Sequence, residues 1–229
     1  MSNFETDIIC LIRDYPLITV DQLCRLTGRP MQSVARSLKK LCEEKRPYIN
    51  RNEKKENIAK PYVYAVTKNA AQDKSIGGYP VDLSERKDKG LTHEILITDI
   101  HIALKDQVIY WRQDRKTLWR YGIQPDAFFK YKLHDGEKGK RSFFLEAETG
   151  SNNPVDVYAK YQGYEKLRGL MQAQKLDWLP MIKFSVLTVL PTAEDALDLQ
   201  KELIKQNIID KDYVAAYYIF TPLSELLIK

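Results

Sequence analysis

Residues 19–43 read TVDQLCRLTGRPMQSVARSLKKLCE, and this stretch decides how the first third of the chain is organised. Thr19, with Gln22 three residues later, matches a capping box, in which two side chains satisfy backbone N–H groups that lack partners at a helix start. Gly28 suits the left-handed conformation that ends a helix, and Pro30 suits the first turn of a following helix. The stretch therefore predicts two helices joined by a tight turn.

The second of these helices has one apolar face and one polar, basic face. Apolar residues recur at helical spacing and predict its core-facing side: Met31, Val34, Ala35, Leu38, Leu41 and Cys42. The turn and the opposite face carry side chains that hydrogen-bond to bases and phosphates: Arg29, Gln32, Ser33, Arg36, Ser37 and Lys40. A short helix, a tight turn and a helix with such an outer face form the plan of a helix-turn-helix motif.

The flanking segments extend this motif on both sides. Residues 4–15 have helical apolar spacing and end at Pro16. After the motif, two β-prone stretches at 48–49 and 62–66 enclose a charged tip, which predicts a hairpin. The basic side chains of that hairpin are Arg51, Lys54, Lys55 and Lys60. Three helices followed by a basic hairpin predict a winged helix-turn-helix domain over residues 1–75 that binds DNA. The alternative is a small helical domain that binds another protein.

The charge of the chain is unevenly distributed. Residues 1–78 carry 14 Lys and Arg against 9 Asp and Glu, whereas residues 79–229 carry 22 of each sign. A basic module of this size favours a polyanionic partner, most often nucleic acid. No apolar run reaches the ~18 residues of a membrane helix, so we expect a cytoplasmic protein without membrane contact. The spacing of the three cysteines is not that of a metal site or a disulfide framework.

The remainder of the chain predicts a second domain of a different class. Residues 76–90 are rich in Gly, Pro and charge, as in a linker. Residues 91–229 then alternate between helical and β-rich stretches in the order αβββαβαβ. This order predicts an α/β domain built on a mixed sheet.

Two short motifs in this domain carry a family resemblance. QPDAFF at 124–129 and FFLEAETG at 143–150 lie about as far apart as the two acidic motifs of the PD-(D/E)xK nucleases, the restriction-endonuclease-like fold. More narrowly, the whole chain resembles the replication-relaxation family of plasmids, phages and integrative elements, mobile genetic elements whose proteins combine a winged helix with such a domain. The matching parts here are His93 on the first helix, Pro125–Asp126, Glu146–Ala147–Glu148, and Lys160 with Tyr164.

A nuclease of this kind uses carboxylates to bind Mg²⁺ or Mn²⁺, which activates water and stabilises charge on the phosphate. Asp126 begins one predicted strand, and Glu146 lies on the strand expected to pair with it. Glu148 is two residues further and therefore shares a face with Glu146. We expect Asp126 and Glu146 to bind the metal, with Glu148 and Glu94 as further candidate ligands.

One position departs from the pattern that the resemblance implies. Where the fold usually has a lysine two residues after the second acid, this chain has Glu148. Lys160, on the next helix, is the substitute we expect, and Tyr164 lies four residues later on the same helical face. If that face lines the site, Tyr161 or Tyr164 is also a candidate nucleophile for a relaxase-like covalent step.

Plain structural roles compete with these assignments. Glu146 and Glu148 could be solvated strand residues, Lys160 and Tyr164 could form a surface helix face, and His93 could be a hydrogen-bonded core histidine. A further segment interleaves two tryptophans with basic residues, which suits either stacking on unpaired bases or ordinary packing. Its members are Trp111, Arg112, Arg115, Lys116, Trp119 and Arg120.

Two functions stay open on the sequence alone. The first is a Mg²⁺- or Mn²⁺-dependent DNA nickase or relaxase-like endonuclease, acting in plasmid or phage replication or mobilisation. The second is a transcriptional or replication regulator that binds a specific DNA sequence and whose nuclease-like core has lost catalysis. DNA is the expected partner in both, with a homodimer and accessory proteins of replication or mobilisation as further candidates.

Overall fold

The computed structural model describes residues 2–52, 61–78, 80–81, 83, 88–113, 118, 122–132, 140–150, 153–173 and 184–226. The chain forms two compact units, Met1–Ile102 and Ala103–Lys229. The sequence pattern instead places the start of the second domain at residue 91. The difference lies in one helix, Asp88–Leu104, most of which belongs to the first unit.

The first unit combines helices with a small antiparallel sheet. Its elements are α1 (Asn3–Asp14), β1 (Ile18–Thr19), α2 (Val20–Thr27), α3 (Met31–Glu43), β2 (Ile49–Arg51), β3 (Val63–Val66), α4 (Lys68–Gln72) and α5 (Asp88–Leu104). The strands lie in the order β1-β3-β2, and β3 pairs with both neighbours in antiparallel fashion. Helices α1 to α3 followed by the β2–β3 pair have the order expected of a winged helix-turn-helix domain.

The predicted helix signals around α2 are confirmed in atomic detail. The Thr19 hydroxyl accepts a hydrogen bond from the Gln22 backbone at 3.2 Å, and the Gln22 side chain accepts one from the Thr19 backbone at 2.8 Å. Gly28 ends the helix with a φ of 66°, which a side chain with a Cβ rarely adopts. These local interactions form the turn that separates α2 from α3.

Helix α3 contributes three fully buried side chains, Val34, Leu38 and Leu41, to the core of the first unit. Two of the core assignments predicted for this helix are wrong. Met31, the first residue of α3, is 59% exposed, and Ala35 is exposed as well. The buried stripe is narrower than the helical spacing suggested, because only the i, i+4, i+7 positions face α1 and α2.

Helix α5 packs against α2 and the small sheet within the first unit. Leu91 and Ile95 join an apolar cluster with Leu17 and Val63. The Gln22 side chain donates a hydrogen bond to the Ile95 carbonyl at 3.0 Å. The helix predicted to open the second domain is therefore held by contacts of the first.

The second unit is built on a five-stranded sheet. Its elements are β4 (Val108–Arg112), β5 (Ala127–Lys132), β6 (Lys140–Ala147), α6 (Pro154–Gln172), β7 (Phe184–Leu190), α7 (Ala193–Lys205), α8 (Lys211–Tyr217), β8 (Tyr218–Pro222) and α9 (Leu223–Leu226). The strands lie in the order β4-β5-β6-β7-β8. The β4–β5 and β5–β6 pairs are antiparallel, whereas the β6–β7 and β7–β8 pairs are parallel. The predicted α/β class with a mixed sheet is confirmed.

The two faces of this sheet differ in their surroundings. On one face, Tyr161, Tyr164 and Leu167 of α6 pack against Phe144 and Val186. On the other face, a cavity of about 580 Å³ is lined mainly by apolar side chains, among them Phe129, Phe143, Leu187 and Ile219. None of the described helices combines the length and the apolar composition needed to span a bilayer.

Candidate functional site

Asp126 and Glu146 meet where β5 begins and β6 ends. Because β5 and β6 run antiparallel with Ala127 opposite Leu145, the residue before β5 lies beside Glu146. The Asp126 backbone N–H donates to the Leu145 carbonyl at 2.9 Å, and the Asp126 carboxylate accepts a hydrogen bond from the Ala147 backbone at 2.8 Å. The predicted pairing of the two acid-bearing strands is thus present.

Glu146 is fully buried and is held by two side chains of α6. Lys160 Nζ lies 2.6 Å from one carboxylate oxygen, and the Tyr164 hydroxyl donates a hydrogen bond to the other. Lys160 and Tyr164 are one helical turn apart, so both reach the same carboxylate from one face of α6. The alternative in which Glu146 is a solvated strand residue is wrong.

Lys160 joins Glu146 to Glu148. Its Nζ also lies 3.2 Å from a Glu148 carboxylate oxygen, and its side chain is 23% exposed. The ammonium from α6 therefore reaches both acids at the end of β6, and its role as the replacement for the usual lysine stays a prediction. We refer to Asp126, Glu146, Glu148, Lys160 and Tyr164 as the acid–lysine cluster.

The charges in this cluster perturb one another. Burial raises the pKa of Glu146 to about 8, although the Lys160 ammonium opposes this shift. Burial alone would lower the pKa of Lys160, but the negative charges of Glu146, Glu148 and Asp126 outweigh it and raise that pKa above its usual range. Lys160 therefore stays cationic at neutral pH. A buried acid whose pKa is shifted by burial and a specific partner is typical of functional sites.

Both candidate tyrosine nucleophiles lie in the core of the second unit, and a tyrosine nucleophile stays a prediction. Tyr161 and Tyr164 have no exposed surface, and each hydroxyl is engaged in a hydrogen bond, with Thr188 and Glu146 respectively. Burial raises the pKa of both phenols well above the ordinary value, which disfavours the phenolate needed for attack. Tyr164 instead orients the Glu146 carboxylate.

A supporting residue that the sequence analysis missed is Thr188 on β7. It lies opposite Glu146 in the parallel β6–β7 register and shares a hydrogen bond with the Tyr161 hydroxyl. The strand at 184–190 is apolar except for Ser185 and Thr188, and these two polar residues were the available signal. Thr188 helps to hold α6 against the sheet beneath the cluster.

The cluster fits a metal ion only in part. Among the described residues, no group of three or more His, Cys, Asp or Glu side chains is arranged to hold a metal. Lys160 engages both Glu146 and Glu148, and the three-carboxylate metal site expected from the sequence stays a prediction. Asp126 and Glu146 remain as adjacent carboxylates, and Mg²⁺ is often held by one or two carboxylates together with substrate phosphates.

Two predicted residues belong to the first unit. Glu94 and His93 lie on α5, and both are partly buried. The contacts described for the acid–lysine cluster are made by residues of the second unit. Glu94 as an additional metal ligand stays a prediction.

The outer face of α3 presents most of the predicted DNA-contacting side chains. Arg29, Gln32, Ser33 and Arg36 are exposed, and Ser37 is partly exposed. Lys40 is exposed but forms an ion pair with Glu5 at 2.7 Å. That interaction with the buried Glu5 anchors Lys40 to α1.

The hairpin contributes one described basic residue. The Arg51 guanidinium lies over the Tyr62 ring at 4.8 Å, which holds it on the exposed side of β2. The other predicted basic residues of the hairpin, Lys54, Lys55 and Lys60, lie outside the described residues.

The interleaved tryptophan segment divides between the two faces of the large sheet. The Trp111 ring stacks on Phe129 with 5.5 Å between centroids, on the face that bears the cavity. Arg112, opposite Phe128, points to the face that carries the acid–lysine cluster. Arg115, Lys116, Trp119 and Arg120 lie outside the described residues.

The molecule is thus a two-unit protein that joins a helix-turn-helix unit to a mixed-sheet α/β unit bearing a buried acid–lysine cluster. The family model described as Replication-relaxation matches residues 10–177, and the chain belongs to that family.

Among solved structures, the restriction endonuclease FokI matches with a TM-score of 0.32 and 10% sequence identity. The match covers 95% of this chain and 46% of the FokI chain, so this chain spans about half the length of FokI. No curated protein matches the sequence.

Proposed function

We propose that this protein binds a specific DNA site through its helix-turn-helix unit and cuts one strand at the acid–lysine cluster with the help of Mg²⁺ or Mn²⁺. Membership of the replication-relaxation family supports a replication-related role in DNA processing. The reaction we infer is a nick that serves the replication or mobilisation of a mobile element such as a plasmid or phage.

One observation carries the catalytic part of the proposal. Lys160 Nζ lies 2.6 Å from Glu146 and 3.2 Å from Glu148, beside the end of β5 that carries Asp126. A cation among acids, at the ends of two interior strands, has the charges that phosphodiester cleavage needs. The carboxylates would hold a metal ion, which supplies activation of water, and the ammonium would offset negative charge on the phosphate.

The residues of the cluster divide these tasks. Tyr164 donates to one Glu146 oxygen and fixes the orientation of the carboxylate, while Asp126 is fixed by the Ala147 backbone N–H. Lys160 contacts the buried acids and is itself partly exposed, so its ammonium can also contact a bound phosphate. A Mg²⁺ ion held by Asp126 and Glu146 would lower the pKa of a water molecule and polarise the phosphate.

The first experiment tests metal-dependent nicking directly. Supercoiled plasmid incubated with the protein and Mg²⁺ or Mn²⁺ is expected to become open circular, and EDTA is expected to stop the reaction. The Tyr164→Phe variant is expected to keep measurable nicking without a covalent protein–DNA adduct, because the buried hydroxyl only orients Glu146. A phosphotyrosine adduct trapped on Tyr164 of the wild type would refute the assignment of Tyr164 as an orienting residue. Absence of nicking by the wild type would refute the proposed nuclease function.

DNA recognition is assigned to the exposed face of α3. The Arg36→Ala variant is expected to lose about tenfold or more in affinity for a duplex selected from a random pool, since one good base contact contributes about 1–3 kcal/mol of discrimination. Lys201→Ala, an exposed change on α7, is the matched control. Equal affinities of the two variants in a gel-shift titration would contradict the role of α3.

A second candidate function is a regulator that binds DNA without cutting it. The full burial of Glu146 and its ion pair with Lys160 favour this candidate, because a satisfied buried pair can serve structure alone. The regulator predicts tight, site-specific duplex binding together with intact plasmid under every metal condition. The same two experiments therefore separate the two functions.

A further inference from the structure

The face of β4 and β5 that continues from the acid–lysine cluster carries aromatic and cationic side chains. In antiparallel strands, directly opposite residues point to the same face, and so do residues two apart. Tyr110 is opposite Lys130, and Arg112 is opposite Phe128. Phe128 is opposite Phe144, which packs against α6 on the face where Glu146 also lies. These side chains therefore share the face of the cluster.

This part of the sheet is accessible. Tyr110 is 44% exposed, Arg112 and Lys132 are exposed, and Phe128 and Lys130 are partly exposed. The Tyr110 and Phe128 rings lie 6.0 Å apart at a tilted angle. We refer to Tyr110, Arg112, Phe128, Lys130 and Lys132 as the β4–β5 platform. Its described strands include no Asp or Glu, so the platform is cationic.

We propose that the β4–β5 platform binds an unpaired DNA strand and leads it to Asp126 and Glu146. Along β5, Lys132, Lys130, Phe128 and Asp126 follow one another at every second residue, about 7 Å apart. This order places phosphate-binding cations first, a ring next and the acids last. The inference rests on the proposed cleavage function and names the form of its substrate.

The aromatic residues argue for a single strand over a duplex. An exposed ring on an open sheet stacks on the face of a base, whereas a duplex keeps those faces stacked and presents only base edges in its grooves. Cations beside the rings match the phosphates between successive bases. Rings and cations on one sheet face are the combination found in proteins that bind single strands without sequence preference.

Fluorescence anisotropy with a labelled oligothymidylate and the full-length protein tests the platform. Tyr110→Ala is expected to weaken binding about tenfold, and Tyr110→Phe is expected to bind like the wild type because it keeps the ring. The double variant Lys130→Gln/Lys132→Gln is expected to lower the magnitude of the slope of log affinity against log salt concentration by about 1.4. This change corresponds to two lost phosphate contacts. Lys201→Gln, on α7, is the matched cation control.

The result that overturns the platform is equal oligothymidylate affinity for Tyr110→Ala and Tyr110→Phe, or an unchanged salt slope in the double variant. Two further measurements separate this failure from that of the proposed function. Arg36→Ala is expected to lose duplex affinity while keeping oligothymidylate affinity. If the wild type nicks plasmid but the platform variants bind the oligonucleotide normally, the proposed platform is wrong and the proposed nuclease function is kept. If oligonucleotide binding depends on the platform but the wild type does not nick plasmid, the platform is supported and the nuclease function is refuted.

Discussion

The Lys160→Met variant is expected to lower the free energy of unfolding by about 3–5 kcal/mol, because the buried Glu146 loses its cation and must either carry an unpaired charge or bind a proton. Glu146 is fully buried and Lys160 Nζ is 2.6 Å away, so the pair is a large part of what compensates the acid for its lost hydration. Methionine has nearly the length of lysine and packs along the same path. The loss of unfolding free energy therefore reflects the missing positive charge more than a change in side-chain volume. Urea denaturation measures this loss.

The same variant is expected to show a distinctive pH dependence. Without the Lys160 ammonium, burial raises the pKa of Glu146 further above its ordinary value of 4.5. The folded variant then keeps a proton that the unfolded chain releases above that value. Its stability is consequently greatest below the ordinary glutamate pKa and falls as pH rises, and the fall extends to higher pH than in the wild type.

Two further variants make this prediction specific. Adding Glu146→Gln to Lys160→Met is expected to restore most of the stability without restoring nicking, because the amide needs no cation. Lys201→Met removes an exposed lysine whose nearest acid, Asp198, is 3.8 Å away, and should cost less than about 1 kcal/mol. Equal losses for Lys160→Met and Lys201→Met would show that the buried pair does not stabilise the fold.

The Asp126→Asn variant is expected to reduce nicking by on the order of 10³-fold and to abolish the uptake of Mn²⁺ measured by calorimetry. A metal ion contributes several kcal/mol of charge stabilisation in such a reaction, and an amide is a much weaker ligand than a carboxylate. Asparagine keeps an oxygen that accepts the hydrogen bond from the Ala147 backbone. The fold should therefore survive while the negative charge is lost.

The control for this variant is Asp198→Asn on α7, where the replaced carboxylate is 67% exposed. It should bind Mn²⁺ and nick plasmid as the wild type does. Thermal unfolding of Asp126→Asn close to that of the control would exclude misfolding as the cause. If Asp126→Asn nicks at the wild-type rate, the assignment of the active site to these two strands is wrong.

Local signals made much of the fold predictable. Two helix-end signals of α2 are the capping box of Thr19 and Gln22 and the left-handed Gly28. Both depend only on residues within one or two turns, so they can be predicted from the local sequence. The strands at 127–132 and 140–147 follow from β-prone residues bounded by turn residues. The mixed sheet then follows from the order of its elements.

Errors arose where a residue's role depends on what covers it. Met31 has the spacing of a core residue, yet it lies at the start of α3 and stays exposed. Ala35 has the same spacing and is exposed as well. Helical periodicity gives the direction of a side chain but not the presence of a neighbour on that side.

The sequence by itself determined the kinds of element and their order, and it predicted the short list of acids with Lys160 as the replacement for the missing lysine. Only the tertiary structure decided that Lys160 contacts both Glu146 and Glu148, that Tyr164 orients a carboxylate, and that Glu148 is held by a cation. The physical reason is distance. Caps and turns form between residues a few positions apart, whereas the cluster requires the packing of α6 on β6, and charges at contact range set each other's ionisation.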